Sequence, residues 1–173
     1  EGVKSLHLDL EILLEGRDGS SIPEMLDEQV ATVLINHVDY RSGTIRDMEN
    51  LTRQVQEFGG LTVWDLSHSA GIFPVQLNRC RVDFAVGCTY KYLNGGPGAP
   101  AYLYAASRHH TACNQPLSGW FGHARPFDFE RHFDPDSGIR RFVCGTQPIL
   151  SLRALQSGLE IYQDVSLQQV REK

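Results

Sequence analysis

Several features that would indicate other classes of protein are missing from this sequence. No apolar run approaches the roughly 18 residues that a membrane-spanning helix needs. Basic residues are scattered and the formal net charge is -5, so no basic patch for nucleic acid is indicated. Neither the cysteines nor the dispersed histidines show metal-ligand spacing, and we predict no metal site. The four cysteines, which we expect to be reduced thiols of a cytoplasmic protein, are Cys80, Cys88, Cys113 and Cys144.

The chain is long enough for one domain with a sizeable core, since 41% of its 173 residues are hydrophobic. Residues 30–38 are apolar and β-branched, which is typical of a buried strand in a parallel sheet. A helix is predicted over 45–58, with Thr44 as its cap and Gly59 as its stop. A second strand is predicted over 61–66. The order strand, helix, strand predicts parallel strands joined by a right-handed crossover.

Two more strands are predicted, at 83–87 and 101–106. The second should be antiparallel, because too few residues separate it from the first for a crossover helix. The other predicted elements are a helix over 3–14, a short helix over 23–28 with Ser21 and Glu24 as a capping box, a helix over 107–113 capped by Ser107, a long loop over 115–138, a strand over 140–144 and an amphipathic helix over 147–165. The whole pattern predicts an α/β fold with a mostly parallel sheet flanked by helices.

Three chemically capable side chains follow the predicted strands. Ligands of parallel sheets bind beyond the carboxyl ends of the strands, where Asp65 and His68 follow the second strand and Lys91 follows the third. Lys91 lies among aromatic and small residues, with no acidic residue within seven positions. An apolar setting without a counter-ion disfavours the ammonium form, and a neutral amine can form a Schiff base with an aldehyde. These residues fit a pyridoxal phosphate site, in which an aspartate keeps the pyridine nitrogen protonated.

Each candidate residue also has a simpler structural explanation. Asp65 could be a turn residue at the end of a strand, His68 a core histidine and Lys91 a surface lysine beside a turn. Trp120 could pack in the core rather than against a cofactor. Thr146 could cap the last helix, a role compatible with phosphate binding. The joint order of these residues along the chain favours the cofactor site.

Four segments of the chain closely resemble kynureninases, the bacterial ones in particular. They read DLSHSAG at 65–71, VGCTYKYLNGGPG at 86–98, PLSGWFGH at 116–123 and CGTQPI at 144–149. The resemblance implies a fold-type-I pyridoxal phosphate enzyme of tryptophan degradation. Such an enzyme hydrolyses L-kynurenine, or 3-hydroxykynurenine, to an anthranilate and L-alanine.

The resemblance also implies roles for individual residues. Lys91 would be the Schiff-base lysine, and Tyr90 would be the second catalytic residue as an acid or base. Asn36 stands where the family usually has a small hydroxyl residue. In the family, the residues matching Trp120 and Thr146 reach the cofactor site of the other subunit of a homodimer. The residues implied to bind the cofactor are Asn36, Asp65, His68, Tyr90, Lys91, Trp120 and Thr146.

The resemblance implies a partial chain. Residues 1–146 would be part of the large, cofactor-binding domain, and 147–173 would be a helix leading toward a small C-terminal domain that is absent. Two alternatives remain open. The chain could be an inert piece that serves only in dimerisation or complementation, or it could belong to another pyridoxal phosphate lyase, such as a cysteine desulfurase.

Overall fold

The computed structural model describes residues 11–13, 15 and 21–172 of the chain. The strands are β1 (Thr32–Asn36), β2 (Leu61–Asp65), β3 (Phe84–Cys88) and β4 (Ala101–Ala105), and the α-helices are α1 (Met48–Glu57), α2 (Ile149–Glu160) and α3 (Leu167–Glu172). The sheet has the order β1-β2-β3-β4, with the first three strands parallel and β4 antiparallel to β3. The predicted α/β class with a mostly parallel sheet is therefore confirmed. Within the described residues, no helix is long and apolar enough to cross a membrane.

The crossover helix α1 begins three residues later than predicted. Its cap is Asp47, whose carboxylate accepts the backbone N–H three residues further on at 3.0 Å. The prediction of Thr44 as the cap is wrong, because Val38 and Ile45 form an isolated antiparallel bridge and the chain is still extended there. The end of the helix is as expected, since Gly59 follows it with a φ of +81°.

The hydrophobic core lies between α1 and one face of the sheet. Trp64 at its centre is fully buried, and its indole N–H donates to Thr52 Oγ1 at 3.0 Å. The buried residues of this core are Ile22, Ile35, Met48, Trp64, Leu66, Val82 and Ala85. The prediction that the first strand is buried throughout is wrong. Leu34 is 68% exposed while its neighbour Ile35 is buried, because successive side chains of β1 point to opposite faces of the sheet and the core covers the face that carries Ile35.

His37, directly after β1, makes the stability of this core depend on pH. Its ring is buried and lies edge-on to Trp64 and Phe73, with centroids 5.6 and 5.2 Å away. Burial lowers the pKa of His37 below the ordinary 6.5. The unfolded chain therefore binds a proton at this residue more readily than the folded chain. The contribution of a neutral His37 is fully present above about pH 6.5 and declines as the pH falls below that value.

We expect the urea midpoint of the wild-type chain to fall more between pH 7.5 and pH 5.5 than that of a His37→Phe variant. The variant keeps an aromatic ring but has no proton to bind. The other histidines are common to both proteins, so the difference reports His37 alone. Equal pH dependence in the two proteins would contradict this explanation.

The prediction of a strand over 140–144 is wrong, because the chain there forms a 3-10 turn, Ile139–Phe142. Its Arg141 is buried, and the guanidinium donates to the backbone carbonyl of His110. A buried arginine that requires a carbonyl partner favours this turn over strand pairing. The alternation of side chains in the sequence did not reveal that requirement.

Two predicted helices of the second half are shorter than expected. The helix predicted over 107–113 is a 3-10 turn, Ser107–His109, and its cap position is Ala106 rather than Ser107. The helix predicted over 147–165 is α2, which ends at Glu160 and is followed by a 3-10 turn, Ile161–Gln163. The long loop over 115–138 contains one 3-10 turn, Trp120–Gly122.

The predicted capping box near the start of the described region is confirmed. The backbone N–H of Ser21 donates to the Glu24 carboxylate at 2.7 Å, at the beginning of a 3-10 helix, Ile22–Met25. The helix predicted over 3–14 lies outside the described residues, apart from 11–13.

Candidate active site

The carboxyl ends of the three parallel strands meet at one edge of the sheet. Asn36 ends β1 and is in register with Asp65, which ends β2. Asp65 is in turn in register with Val86 of β3. Two of the predicted site residues are therefore neighbours across adjacent strands, on the face of the sheet opposite Trp64.

Lys91 and His68 are in direct contact beyond this edge. Lys91 follows β3 and begins a turn. The backbone N–H of Asn94 donates to the backbone carbonyl of Lys91 at 3.2 Å and closes this turn. Its Nζ is 3.2 Å from Nε2 of His68, which lies on the loop after β2. Both side chains are half-buried. The sequence places these residues 23 positions apart, and the parallel sheet brings them together.

Aromatic rings surround this amine and imidazole pair. The ring of Tyr90 lies 5.4 Å from Lys91 Nζ. Tyr40 stacks on His68 with centroids 6.5 Å apart, and Tyr92 lies obliquely to the same imidazole at 6.4 Å. Tyr40 and Tyr92 were not predicted as site residues. The sequence does contain a signal for Tyr40, because it lies in the loop that follows β1, as His68 lies in the loop that follows β2.

Asp65 also shapes the loop that carries His68. Its Oδ1 accepts the backbone N–H of Ser67 at 2.8 Å, which turns the chain out of β2. Ser67 Oγ accepts the Cys88 N–H at 3.3 Å and so joins the ends of β2 and β3. One oxygen of Asp65 therefore does have the turn-forming role of the simpler explanation. It does not exclude the predicted role, because a carboxylate has two oxygens and several lone pairs.

A buried phenol lies beneath the same end of the sheet. Tyr102 of β4 is in register with Gly87, and its ring lies where a side chain at Gly87 would be. Its hydroxyl is buried and has no hydrogen-bond partner among the described residues. Burial, with smaller contributions from Cys88 and Asp65, raises the pKa of Tyr102 to about 12. The group is therefore a neutral phenol at physiological pH.

Trp120 and Thr146 form a separate group. Gly119 packs so closely on the backbone of Cys144 that a side chain there would not fit, which sets the two segments side by side. Trp120 is 45% exposed and contacts the ring of Phe127, at 5.8 Å, so the core explanation is wrong. Thr146 is exposed, and the cap position of α2 is Pro148, with no side-chain hydrogen bond. The structure does not bring either residue to the amine of Lys91.

This α/β fold places a lysine in contact with a histidine beyond the carboxyl ends of parallel strands. Comparison with known proteins identifies the family of the chain. Residues 9–173 match the family model described as Aminotransferase class-V, and the chain is a member of that family. It is similar to kynureninases from Burkholderia mallei and Burkholderia pseudomallei, with 49% identity over 156 residues. A kynureninase from Pseudomonas fluorescens is 45% identical over 152 residues. The predicted resemblance to kynureninase is confirmed.

The chain spans less than half the length of these relatives. The Burkholderia alignment covers 90% of the chain and 38% of the relative, and the Pseudomonas alignment covers 88% and 36%. The match therefore concerns one segment of a longer type of protein.

Solved structures support the same fold. The cysteine desulfurase CsdA from Escherichia coli has a TM-score of 0.70 at 20% identity, over 86% of this chain and 36% of that one. The cystine lyase C-DES, in a variant with glycine covalently linked to its PLP cofactor, has a TM-score of 0.75 at 17% identity, over 87% and 40%. At these identities the likeness concerns the fold alone.

Proposed function

We propose that this chain supplies the cofactor-attaching part of a kynureninase, an enzyme that uses pyridoxal 5'-phosphate to hydrolyse L-kynurenine to anthranilate and L-alanine. The observation that carries the proposal is the contact of 3.2 Å between Lys91 Nζ and His68 Nε2. It lies beyond a strand that ends in Asp65, in a chain 49% identical to kynureninases over most of its length. The enzyme would act in tryptophan degradation, in the cytoplasm.

The side chains at the sheet edge fit pyridoxal phosphate. The Lys91 amine is half-buried among aromatic rings and forms no salt bridge with the described residues, so it is free to react with an aldehyde. Asp65 would pair with the pyridine nitrogen and His68 would lie beside the ring, while Asn36 would add a hydrogen bond from the neighbouring strand. When bound, the cofactor supplies an electron-withdrawing ring that stabilises negative charge on the carbon next to the amino group of the substrate.

The remaining chemistry is proton transfer by the residues of the chain. Lys91 Nζ would remove the proton from the α-carbon of the substrate, and His68 Nε2 would hold the amine in place for that transfer. The Tyr90 hydroxyl is the proposed acid or base for addition of water to the γ-ketone. Tyr90 is 47% exposed, as suits a group that exchanges protons with a substrate.

We further propose that the enzyme is a homodimer in which Trp120 and Thr146 contribute to the site of the other subunit. Their exposure supports this. Phe127 and Phe129, which are 67% and 83% exposed, extend the surface next to Trp120. An exposed group of aromatic side chains is typical of a subunit interface.

A direct test grafts this chain into a complete relative. In the Burkholderia mallei kynureninase, the segment that aligns with this chain over 156 residues is replaced by the aligned part of this chain. We expect the chimera to release anthranilate from L-kynurenine, and the same chimera with Lys91→Ala to release none. A folded chimera that holds pyridoxal phosphate and yet releases no anthranilate would contradict the proposal.

The same proteins separate the alternatives. Release of sulfide from L-cysteine, in place of anthranilate from L-kynurenine, would favour a desulfurase-like activity. An active chimera with an inactive isolated chain would mean that the chain acts only as part of a larger protein.

A further inference from the structure

The turn that carries Lys91 is held by a tyrosine from near the end of the chain. The hydroxyl of Tyr162, just after α2, donates to the backbone carbonyl of Tyr92. The same hydroxyl accepts from the side-chain amide of Asn94 at 3.3 Å. Tyr92 and Asn94 are the second and fourth residues of the turn that begins at Lys91. One hydroxyl therefore fixes the turn at two points.

The loop that carries His68 meets the same hydroxyl. Gly71 on this loop has a φ of +91°, and a Cβ there would lie 2.9 Å from the oxygen of Tyr162 and still closer to the carbonyl of Tyr92. The loop can approach the turn this closely only because residue 71 has no side chain. Tyr162, Gly71 and Tyr92 thus form a junction, the Tyr162 junction, at which the His68 loop and the Lys91 turn are packed together.

Helix α2 packs on the same turn independently of this hydroxyl. A Cβ at Gly158 would clash with the carbonyl group of Asn94. A Cβ at Gly95 would lie 3.2 Å from Leu155 of α2. Loss of the Tyr162 hydroxyl would therefore leave the helix in contact with the turn and would release only the two hydrogen bonds.

We propose that Tyr162 is a positioning residue that holds the amine of Lys91 against His68. The two residues in contact at 3.2 Å lie on the two segments that the junction joins. Without the hydroxyl, the turn is free to move away from the loop, and the amine loses its fixed position beside the imidazole. The positioning role itself follows from these contacts. Its consequence for catalysis, that a displaced amine would serve the reaction less well, rests on the proposed function.

The experiment measures the reactivity of Lys91 in the chain without cofactor. Lys4, Lys91 and Lys173 are the lysines of the sequence, so labelling with trace acetic anhydride can be read for each by peptide mass spectrometry. We expect Tyr162→Phe to raise the labelling of Lys91, relative to Lys4 and Lys173, by about two- to tenfold, the range expected for loss of one or two hydrogen bonds. We also expect the pH profile of Lys91 labelling to differ between the variant and the wild type, because the amine of the variant no longer has a fixed position beside the imidazole of His68.

Two further variants make the result specific. Tyr104→Phe also removes one hydroxyl, which bonds to Asn78 at 2.9 Å, and it should leave both the ratio and the pH profile of Lys91 unchanged. Gly71→Ala should change them in the same direction as Tyr162→Phe. A folded Tyr162→Phe chain with the ratio and pH profile of the wild type would overturn the proposal, whether or not Gly71→Ala folds.

The positioning role and the proposed function fail in different ways. Borohydride reduction of the wild-type chain with pyridoxal phosphate tests the function, and absence of an adduct on Lys91 would count against it. The labelling ratio decides the role of Tyr162 in either case, because it is measured without the cofactor.

Discussion

A Lys91→Ala chain mixed with pyridoxal phosphate will show no visible absorption band from covalently attached cofactor and will yield no borohydride-stable adduct at this position. The reason is that the structure places this amine, half-buried beside His68, at the carboxyl edge of the sheet. The expected effect is complete, since a Schiff base requires an amine and Lys91 is the one lysine within the residues that the structure describes. Ultraviolet–visible absorption spectra recorded before and after borohydride reduction measure the loss of this band.

Lys173→Ala is the matched control, because it removes a lysine far from the site in sequence and should retain the band. A band of wild-type intensity in the Lys91→Ala chain would show that the cofactor attaches elsewhere. The assignment of Lys91 would then be wrong, whatever the family resemblance.

The second large effect concerns the fold rather than the site. Asp83, immediately before β3, is a buried carboxylate at the opposite end of that strand from Lys91. Its donors are the Thr62 N–H and hydroxyl at 3.0 Å, Gln56 Nε2 at 3.0 Å, Arg108 Nη2 at 2.8 Å and His109 Nε2 at 2.7 Å. The carboxylate therefore joins β2, α1 and the turn after β4.

We expect Asp83→Ala to lower the free energy of unfolding by about 3–5 kcal/mol, because it leaves the two buried donors of Thr62 and the half-buried ring of His109 without their partner. Asp128→Ala is the control. Its carboxylate lies in an exposed ion pair with Arg125, and the loss of that pair should cost less than about 1 kcal/mol. Urea unfolding at pH 7 compares the three proteins. Equal losses in the two variants would contradict the role given to Asp83.

The effect of Asp83 also depends on pH in a defined direction. Burial raises the pKa of Asp83, but its hydrogen bonds, from Gln56 and Thr62 above all, lower it more, so it lies well below its usual range. The contribution to stability is fully present above the unfolded value, about pH 4, and is lost as the pH falls toward the folded value. The difference between wild type and Asp83→Ala should therefore shrink in acid.

The parts of the fold that follow from local sequence pattern were predictable. The strands β1 and β2 are apolar and β-branched, and a helix between two such strands favours parallel pairing, which is observed. The approximate position of Lys91 follows from the same topology, because residues after parallel strands meet at one edge. The same topology predicts the proximity of His68.

The features that were missed depend on contacts between distant segments. The prediction of a strand over 140–144 was wrong because the carbonyl partner of Arg141 belongs to His110, 31 residues away. The contact between Tyr162 and Tyr92 spans 70 residues, and no local pattern indicates it. Tyr40 reaches His68 because Asp39 Oδ1 accepts two backbone N–H groups and tightens the turn after β1.

The most direct test of the central claim is the site at which pyridoxal phosphate becomes attached to the wild-type chain. After borohydride reduction and digestion, mass spectrometry identifies which lysine carries the cofactor. We expect an adduct on the peptide that contains Lys91, in large excess over Lys4 and Lys173. An adduct spread evenly over the three lysines, or its absence from Lys91 in a folded sample, would contradict it.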